Sequence, residues 1–509
     1  MDTVKLKING IEVEAPAGST IIQAANLAGV KIPSLCYLKD LNELGACRIC
    51  MVEATGAKGL VASCVYPVSE GMEVFTNTEK VRNARKMTLE LLLSDHRMEC
   101  LTCRRNGTCE LQDLAKDFGI EEVRFQNEKP KPKIEDSALH LVRDNSKCIL
   151  CRRCVAACDN QGVGVIGCNE RGFATEVGSP FGRGLVETAC ISCGQCIVNC
   201  PTGALTERDD TGKVWAALND ETKHVVIATA PSVRAGLGEC FGMPIGTNVE
   251  GKMVAALRRL GFDWVFDTDF SADLTIMEEG NELVGRVKKY LELAKAGKSA
   301  ADAQREAHLP ILTSCCPGWI NFLEHHFPDL LDIPSSCKSP QQMFGAVAKS
   351  YYAEKTGVKP EDLIVVSVMP CQAKKYEAAR PEFAPGGVKD VDYVVTTREL
   401  VRLLHEVFKR VKCGRHSAGT GYIAGPWLIS RVIHCVAHRP DVIIDHIDVV
   451  DAHRVEHLAA SVLHDGRVAR GDGAAGPVTQ VGCHPDAALF SLGDRIGRRN
   501  DKTGGKRRQ

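Results

Sequence analysis

The sequence has 509 residues, more than a single hydrophobic core accommodates, so several domains are expected. Its formal net charge of -1 gives no reason to expect a nucleic acid or an anionic membrane as a partner. The start shows no basic stretch followed by an apolar one, and no run of about 18 apolar residues occurs, so neither a signal peptide nor a membrane span is expected. The 24 cysteines fall in metal-ligand spacings, and thiols stay reduced in the cytosol. The sequence therefore predicts a cytoplasmic metal-binding protein.

The first predicted elements are a hairpin and two helices. Residues 2–14 alternate in polarity on either side of Asn9-Gly10, a typical hairpin turn. A capped helix is expected from Ser19 to Gly29, and an amphipathic helix over residues 79–95. The side chains of the first helix expected to face the interior are Ile21, Ile22, Ala25 and Leu27.

The middle of the chain contains a linker and a repeat. Residues 127–137 are rich in Pro, Lys and Glu and are predicted to form a linker. Residues 148–158 and 190–200 repeat one cysteine pattern. From about residue 222, apolar strands alternate with long helices, which predicts an α/β domain with parallel strands.

The C-terminal residues have a different composition. After Lys412 there are two lysines against eleven arginines, together with eight of the fifteen histidines. Periodicity is poor there, so residues 405–509 are predicted to form an atypical segment, which a frameshifted or chimeric origin would explain.

The first cysteine group predicts a two-iron site. Two close and two distant thiolates can hold two irons from a folded loop, as in plant-type ferredoxins with different spacings. Gly45 and Ala46 are small enough to let the backbone approach inorganic sulfide. A structural zinc site is the alternative, but it would not need the preceding hairpin and helix. The predicted ligands of this two-iron site are Cys36, Cys47, Cys50 and Cys64.

The second group places a histidine one helical turn before three cysteines. Such a set could bind zinc. It could equally hold a 4Fe–4S cluster, which a neutral imidazole would make less negative than four thiolates would. A lone histidine is usually a surface or core residue, but this spacing favours a ligand. The predicted ligands of this His–Cys site are His96, Cys100, Cys103 and Cys109.

The repeat predicts two further 4Fe–4S sites. Both copies follow the bacterial ferredoxin run, in which the fourth cysteine ligates the other cluster. The first copy has Asp159 where the second has Pro201, and Cys168 lies outside the pattern and is expected to be a buried thiol. The first cubane site comprises Cys148, Cys151, Cys154 and Cys200. The second cubane site comprises Cys190, Cys193, Cys196 and Cys158.

In this order the four sites resemble the N-terminal half of complex iron-only (FeFe) hydrogenases and the cluster-bearing large subunit of NADH dehydrogenase. TSCCPGW (313–319) and VMPCQAKKYE (368–377) resemble the first and second hydrogenase signatures. The resemblance runs to about residue 400 and is nearest to NAD(P)-linked multi-subunit members. Further similar segments are TAPSVR (229–234), ADLTIMEEGNEL (272–283) and KSPQQMFG (338–345).

The resemblance implies a multidomain α+β and α/β fold. An α/β hydrogenase catalytic domain would follow three cluster domains and end in an aberrant C-terminus. The implied domains are a β-grasp ferredoxin-like domain (1–78), a His/Cys cluster domain (79–126), the linker (127–137), a bacterial two-cluster ferredoxin-like domain (138–210), the catalytic domain (222–404) and the atypical segment (405–509).

The family's active site, the H-cluster, is a cubane joined through one cysteine to a two-iron subsite with CO, cyanide and a bridging amine. By resemblance Cys316 and Cys371 would ligate the cubane, and Cys315 would pass protons to the amine. A relay to solvent would run through Glu279, Ser335, Glu282 and Arg286. Lys374 would donate a hydrogen bond to a cyanide. The residues implied to shape the pocket are Ala230, Pro231, Ser232, Gln341 and Met369.

Each of these residues also has a plainer interpretation. Glu279 and Glu282 could lie on a solvated helix face, Lys374 in a charged surface run, and Cys315 could be a small buried hydrophobe. Their joint occurrence within the signatures favours the functional interpretation.

The family's third signature, a C-x3-C element in a glycine-rich run, is not found. After Cys371 the only cysteines are Cys413, Cys435 and Cys483, and no two are four apart. Two function classes therefore remain: hydrogen oxidation or proton reduction, and electron transfer by a non-catalytic or defective relative. A zinc protein is the third alternative.

The expected partners follow from the missing nucleotide fold. No G-x-G-x-x-G followed by an acidic residue is evident, so NAD(P) and its flavin are expected on partner subunits. The resemblance also implies ferredoxin, H2 and protons as reaction partners. It leaves the choice between NAD and NADP open.

Overall fold

The computed structural model describes residues 2–125 and 133–413, with side chains up to residue 407. The N-terminal part contains a mixed sheet in the order β2-β1-β5-β3-β4. The predicted hairpin is present: β1 and β2 are antiparallel, with Gly10 of the turn at φ +82. The strands are β1 (Thr3–Ile8), β2 (Ile11–Pro16), β3 (Met51–Ala54), β4 (Val61–Ala62) and β5 (Glu73–Phe75).

The first helix, α1 (Ile21–Leu27), starts at Thr20, whose backbone N–H donates to the Gln23 side chain in a capping box. The predicted interior positions Ile21, Ile22 and Ala25 are buried. Leu27, predicted to face inward, is 62% exposed. The prediction was wrong because a side chain six positions after Ile21 lies about 240° around a helix of 3.6 residues per turn.

The His–Cys group lies between the next two helices. They are α2 (Glu79–Ser94) and α3 (Glu110–Asp117). The predicted amphipathic helix thus ends just before His96, and Leu89 and Leu93 of its buried face pack with Leu111.

The repeat is built on a small antiparallel sheet in the order β10-β7-β6. Residues Ile134–Glu135 form β6 and pair with Asp144 and Arg143, so the end of the predicted linker is a strand. Residues 127–132 of that linker lie outside the described residues. The remaining elements are β7 (Leu141–Asp144), α4 (Arg153–Asn160), β8 (Gly167–Asn169), β9 (Glu176–Gly178), α5 (Gln195–Asn199) and β10 (Leu205–Glu207).

Cys168 is exposed, contrary to expectation. It lies on β8, which pairs only with β9 in a two-stranded sheet. Because a two-stranded ribbon has a face that packs on nothing, a side chain there meets solvent.

The last described part has a parallel sheet in the order β12-β11-β13-β14, as the sequence predicted. Its strands are near-continuous runs of Val, Ile and Leu, because helices cover both faces. The strands are β11 (His224–Thr229), β12 (Trp264–Asp267), β13 (Leu363–Met369) and β14 (Tyr393–Thr396). The helices are α6 (Thr211–Leu218), α7 (Pro231–Gly236), α8 (Glu250–Leu260), α9 (Asp269–Lys295), α10 (Ala300–Glu306), α11 (Pro317–His326), α12 (Pro340–Val347), α13 (Ala353–Thr356), α14 (Ala373–Ala378) and α15 (Thr397–Cys413).

The helix α15 continues past the boundary predicted at residue 404, so residues 405–413 are helical. The rest of the predicted atypical segment, with Cys435 and Cys483, lies outside the described residues. No helix in the described part of the chain is both long and apolar enough to cross a membrane.

Candidate electron-transfer series and active site

The four thiols of the two-iron site lie together in the interior. Each is at most 3% exposed, and the sulfurs of Cys50 and Cys64 are 3.3 Å apart. Hydrogen bonds from Cys47, then Cys64, lower the pKa of Cys36 to about 2, and the bond with Cys64 lowers that of Cys50 to about 6. The pKa values of the two donors are raised. Four thiols thus lie close together in the interior, and hydrogen bonds favour the thiolate form of two of them, Cys36 and Cys50, which is the form that binds iron.

The His–Cys site contains an unusual histidine. His96 is buried, and neither Nδ1 nor Nε2 has a hydrogen-bond partner among the described residues. Burial, and then the charge of Lys147, lowers its pKa to about 4, so the ring is neutral. A neutral imidazole with a free nitrogen lone pair is what a metal ligand requires, and Cys109 is buried nearby in the same cluster of side chains as α2.

The first cubane site surrounds a cavity. All four predicted ligands line it, including Cys200 from the second copy of the repeat. Leu150 and Arg152 between the ligands have φ values of +52 and +61. Alternating left-handed residues turn backbone N–H groups inward and form a concavity for an anion, as at many iron–sulfur sites.

The second cubane site has the same backbone. Ser192 and Gly194 have φ values of +57 and +74, at the positions equivalent to Leu150 and Arg152. The Nε2 atom of buried His140 lies 4.0 Å from Cys190 Sγ. In residues 2–125 and 133–407, no three His, Cys, Asp or Glu side chains are arranged to share a single metal ion.

The two-iron loop contacts the first cubane site. The Asn42 side-chain N–H donates to both Cys36 O, at 2.7 Å, and Cys151 O, at 3.1 Å. Buried Arg153 donates to Cys36 O and to Glu110 of α3. A single amide thus bridges the ligand loops of two sites.

The His–Cys site contacts the first cubane site from another side. Arg105 donates to Cys200 O at 3.3 Å, and a Cβ at Gly203 would lie 2.5 Å from Cys103 Sγ. Glycine is therefore required at position 203 for the Cys103 sulfur to approach this closely.

The second cubane site lies against the signature cysteines. A Cβ at Gly194 would lie 2.6 Å from Gln372 Cγ, next to Cys371. A Cβ at Gly318 would lie 3.5 Å from Ile191 O and 3.9 Å from Cys316 Sγ. The pKa of Cys371 is raised, mainly by burial. The charge of Cys316 also raises it, which shows that the two thiols lie close enough to interact.

Three of the four residues of the predicted relay are hydrogen-bonded to one another. Ser335 donates to Glu282 Oε2 at 2.8 Å, and Arg286 donates to Glu282 Oε1 at 2.6 Å. Burial would raise the pKa of Glu282, but the bonds from Ser335 and Arg286 outweigh it and lower the pKa. Glu279 is not joined to them; it accepts from Thr313 at 2.9 Å.

Lys374 is buried and lies beside the signature cysteines. Its Nζ donates to Cys315 O at 2.8 Å and to both oxygens of Glu377 at 3.1 Å. Gln341 donates to Glu377 and to Lys374 O, which fixes this pair. The plainer interpretation of Lys374 as a surface residue is therefore wrong.

The other residues predicted to shape the pocket differ in their exposure to solvent. Ala230 and Met369 are buried, whereas Pro231 and Ser232 of α7 are exposed. Cys315 is half-buried and Cys316 exposed.

The sequence analysis missed Glu377 and Cys337. Glu377 follows Lys374 by three residues on α14, a helical ion-pair spacing that could have indicated it. The Cys337 N–H donates to Ser335 Oγ, and its Sγ lies 3.7 Å from Glu282 Oε2. No signal in the sequence pointed to Cys337.

Four family profiles match the chain. They are described as 2Fe–2S iron–sulfur cluster binding domain (residues 1–79), NADH-ubiquinone oxidoreductase-G iron–sulfur binding region (85–124), 4Fe–4S binding domain (185–206) and iron only hydrogenase large subunit, C-terminal domain (223–413).

Curated relatives agree with these profiles. The NADP-reducing hydrogenase subunit HndD of Solidesulfovibrio fructosivorans is 51% identical over 410 residues, covering 79% of this chain and 68% of the relative. Iron hydrogenase 1 of Clostridium pasteurianum is 38% identical over 410 residues, covering 78% and 67%. The mitochondrial NADH-ubiquinone oxidoreductase 78 kDa subunit of Candida albicans is 35% identical over 236 residues, covering 45% and 32%. The chain is a multidomain mixed α/β protein with ferredoxin-like and hydrogenase-like domains, and it belongs to the iron-only hydrogenase family.

Proposed function

We propose that this chain is the cluster-bearing subunit of a hydrogenase complex that interconverts H2 with protons and electrons. Electrons would pass between the site at Cys316 and Cys371 and NAD(P) or ferredoxin, through flavin- and NAD(P)-binding partner subunits. One 2Fe–2S and three 4Fe–4S clusters, with the H-cluster, would supply one-electron carriers and hydrogen chemistry. Reduced cysteines in all these sites favour a cytoplasmic location.

The contact between Gly194 and Gln372 is the observation that carries this proposal. The loop that carries Cys193 and Cys196 packs through Gly194 against the Gln372 side chain, which is next to Cys371, and a Cβ at position 194 would lie only 2.6 Å from Gln372 Cγ. The Asn42 and Arg105 contacts likewise connect the other two sites with the first cubane site. Close approach of successive ligand loops is what a series of electron carriers requires.

The proposed proton path is supported by hydrogen bonds among the side chains of the relay. Ser335 and Glu282 form one hydrogen-bonded unit, which Arg286 fixes by donating also to His308 O and Pro334 O. Thr313 orients Glu279. A proton could then move between acceptors at Glu279 and Glu282 once Ser335 turns towards Glu279.

Electron transfer alone is the second candidate. The described residues provide only Cys316 and Cys371 at this site, two of the four thiolates that a cubane needs. Cys435 and Cys483 lie outside the described residues.

The test is to isolate the complex from its source after anaerobic growth. H2-dependent reduction of NAD(P), infrared bands of CO and cyanide, and their loss in Cys371→Ser would support a hydrogenase. NAD(P)H-driven reduction of the clusters without those bands would select the second candidate. Zinc in place of iron, with no reducible signal, would refute both.

A further inference from the structure

A buried arginine borders the first cubane site. Arg143 lies on β7, its side chain is 7% exposed, and it lines the same cavity as Cys148 and Cys200. Its Nε and Nη1 atoms are buried and have no hydrogen-bond partner among the described residues. Leaving buried charged donors unpaired costs more free energy than leaving a neutral group unpaired. The fold therefore provides positive charge and free donors at the edge of this cavity.

The position of the guanidinium is fixed. A Cβ at Gly178 of β9 would lie 3.5 Å from its Nη2, so the group packs closely under that strand. Glu135 forms an ion pair with it, with Oε2 3.6 Å from Nη2, a distance too long for a hydrogen bond. No described residue accepts from Nε or Nη1, and the side chain that carries them lines the cavity.

Neighbouring arginines do not share this arrangement. Arg153 is also buried, but it donates to Glu110, Cys36 O and Tyr37 O. Arg152 lines the cavity but is exposed. Arg143 alone among these three combines burial with free donors. Arg105, whose Nη2 donates to Cys200 O, also has one buried donor without a partner among the described residues, Nε, but its side chain is only half-buried.

We propose that Arg143 donates charge-assisted hydrogen bonds to the sulfur acceptors of the first cubane site and so raises the potential at which that site accepts an electron. The inference rests on the proposed electron-transfer function. Uptake of one electron, supplied by a neighbouring cluster, makes the site one unit more negative; no bond forms and no proton moves. A buried positive charge stabilises that reduced state more than the oxidised one. At the second cubane site the contacting group is His140, which carries no permanent charge.

The arrangement has a consequence for electron flow. The two-iron and His–Cys sites both contact the first cubane site. A higher potential there would collect electrons arriving from either side before they pass to the second cubane site.

The experiment is an anaerobic reductive titration of the full-length, iron-reconstituted chain, followed by EPR. Arg143→Gln removes the charge, and Arg143→Lys keeps it without the planar fork. Arg183→Gln, which changes an exposed arginine between the two copies of the repeat, is the matched control. Cys148→Ser, introduced into the parent and into Arg143→Gln, alters the EPR signal of the first cubane site and so assigns the midpoint that moves.

In Arg143→Gln we expect the ratio of reduced to oxidised first cubane, at fixed potential, to fall at least tenfold, which is 59 mV for one electron. Arg143→Lys should shift less, and Arg183→Gln should not shift. An unchanged midpoint, or equal shifts at both cubane sites, would overturn the proposal. So would loss of the first cluster in both Arg143 variants, because Arg143 would then build the site rather than set its potential. Absence of reducible four-iron signals in the parent would instead refute the proposed function.

Discussion

A buried ionic cluster joins the repeat to the catalytic region. Lys375 of α14 is 5% exposed, and its Nζ donates to Asp210 at 2.7 Å, to Glu399 at 3.0 Å and to Val394 O at 2.6 Å. Glu399 is fully buried and also accepts from the Asp210 N–H at 2.9 Å. Lys375→Met removes the only lysine that contacts both carboxylates among the described residues.

The expected loss of stability is large. Removing one partner from a buried ion pair costs about 3–5 kcal/mol, because the remaining charge stays buried without compensation. Lys213 provides a matched control: it bonds the other oxygen of Asp210 at 2.8 Å, but its side chain is 58% exposed. An exposed pair contributes about 0.2–1 kcal/mol, so Lys213→Met should be nearly neutral.

Tryptophan fluorescence can follow this region selectively. The four tryptophans are Trp215, Trp264, Trp319 and Trp427, so none lies in the first 210 residues. With an m-value of about 2 kcal/mol per M in urea, Lys375→Met should lower the unfolding midpoint by about 1.5–2.5 M. Lys213→Met should lower it by about 0.1–0.5 M. A Lys375→Met shift no larger than that of Lys213→Met would refute the reasoning.

Four further predictions follow from the described residues. His96→Cys replaces a neutral ligand with a thiolate and should lower the potential of the His–Cys cluster by at least about 59 mV, tenfold for one electron; an unchanged EPR midpoint would show that His96 is not a ligand. Glu282→Gln should destabilise by about 1–3 kcal/mol at pH 7. The pKa of Glu282 is lowered in the fold, so its carboxylate should stabilise the protein at every pH above the unperturbed Glu pKa of about 4.3. In urea unfolding, the stability difference between Glu282→Gln and the parent should therefore persist down to pH 5 and disappear only below about pH 4.3; its disappearance by pH 5 would contradict this prediction. The second candidate, electron transfer alone, predicts that the purified chain, matured with the family's assembly enzymes, evolves no H2 from reduced methyl viologen, because two cubane thiolates are missing from its signatures; strong activity with CO and cyanide bands would instead support the proposed hydrogenase and mean that later cysteines replace them. The exposed apolar residues Val284 and Leu291 of α9 should promote aggregation, so Val284→Lys with Leu291→Lys should raise the soluble yield and reduce dye binding, whereas no change would show that this face is covered.

Local features could be predicted from the sequence alone. The Asn9-Gly10 hairpin and α2 formed as predicted, because turn geometry and helical periodicity depend on residues a few positions apart. The cluster ligands could be proposed for the same reason, since the cysteines of each run are spaced along one loop. The exposure of Leu27 shows where periodicity was misjudged.

Other features depend on tertiary packing. Glu282 and Ser335 are 53 positions apart and meet only because α9 packs beside the loop before α12. Lys374 lies in a charged run of the kind usually found on a protein surface. In the fold its side chain is buried and donates a hydrogen bond to Glu377. The free donors of Arg143 could not be foreseen, because an unpaired group is recognised only when every neighbour is placed. Cysteine spacing along the sequence is therefore enough to predict where clusters bind, whereas the charges and hydrogen bonds around the predicted ligands depend on elements that are distant in sequence and brought together by the fold.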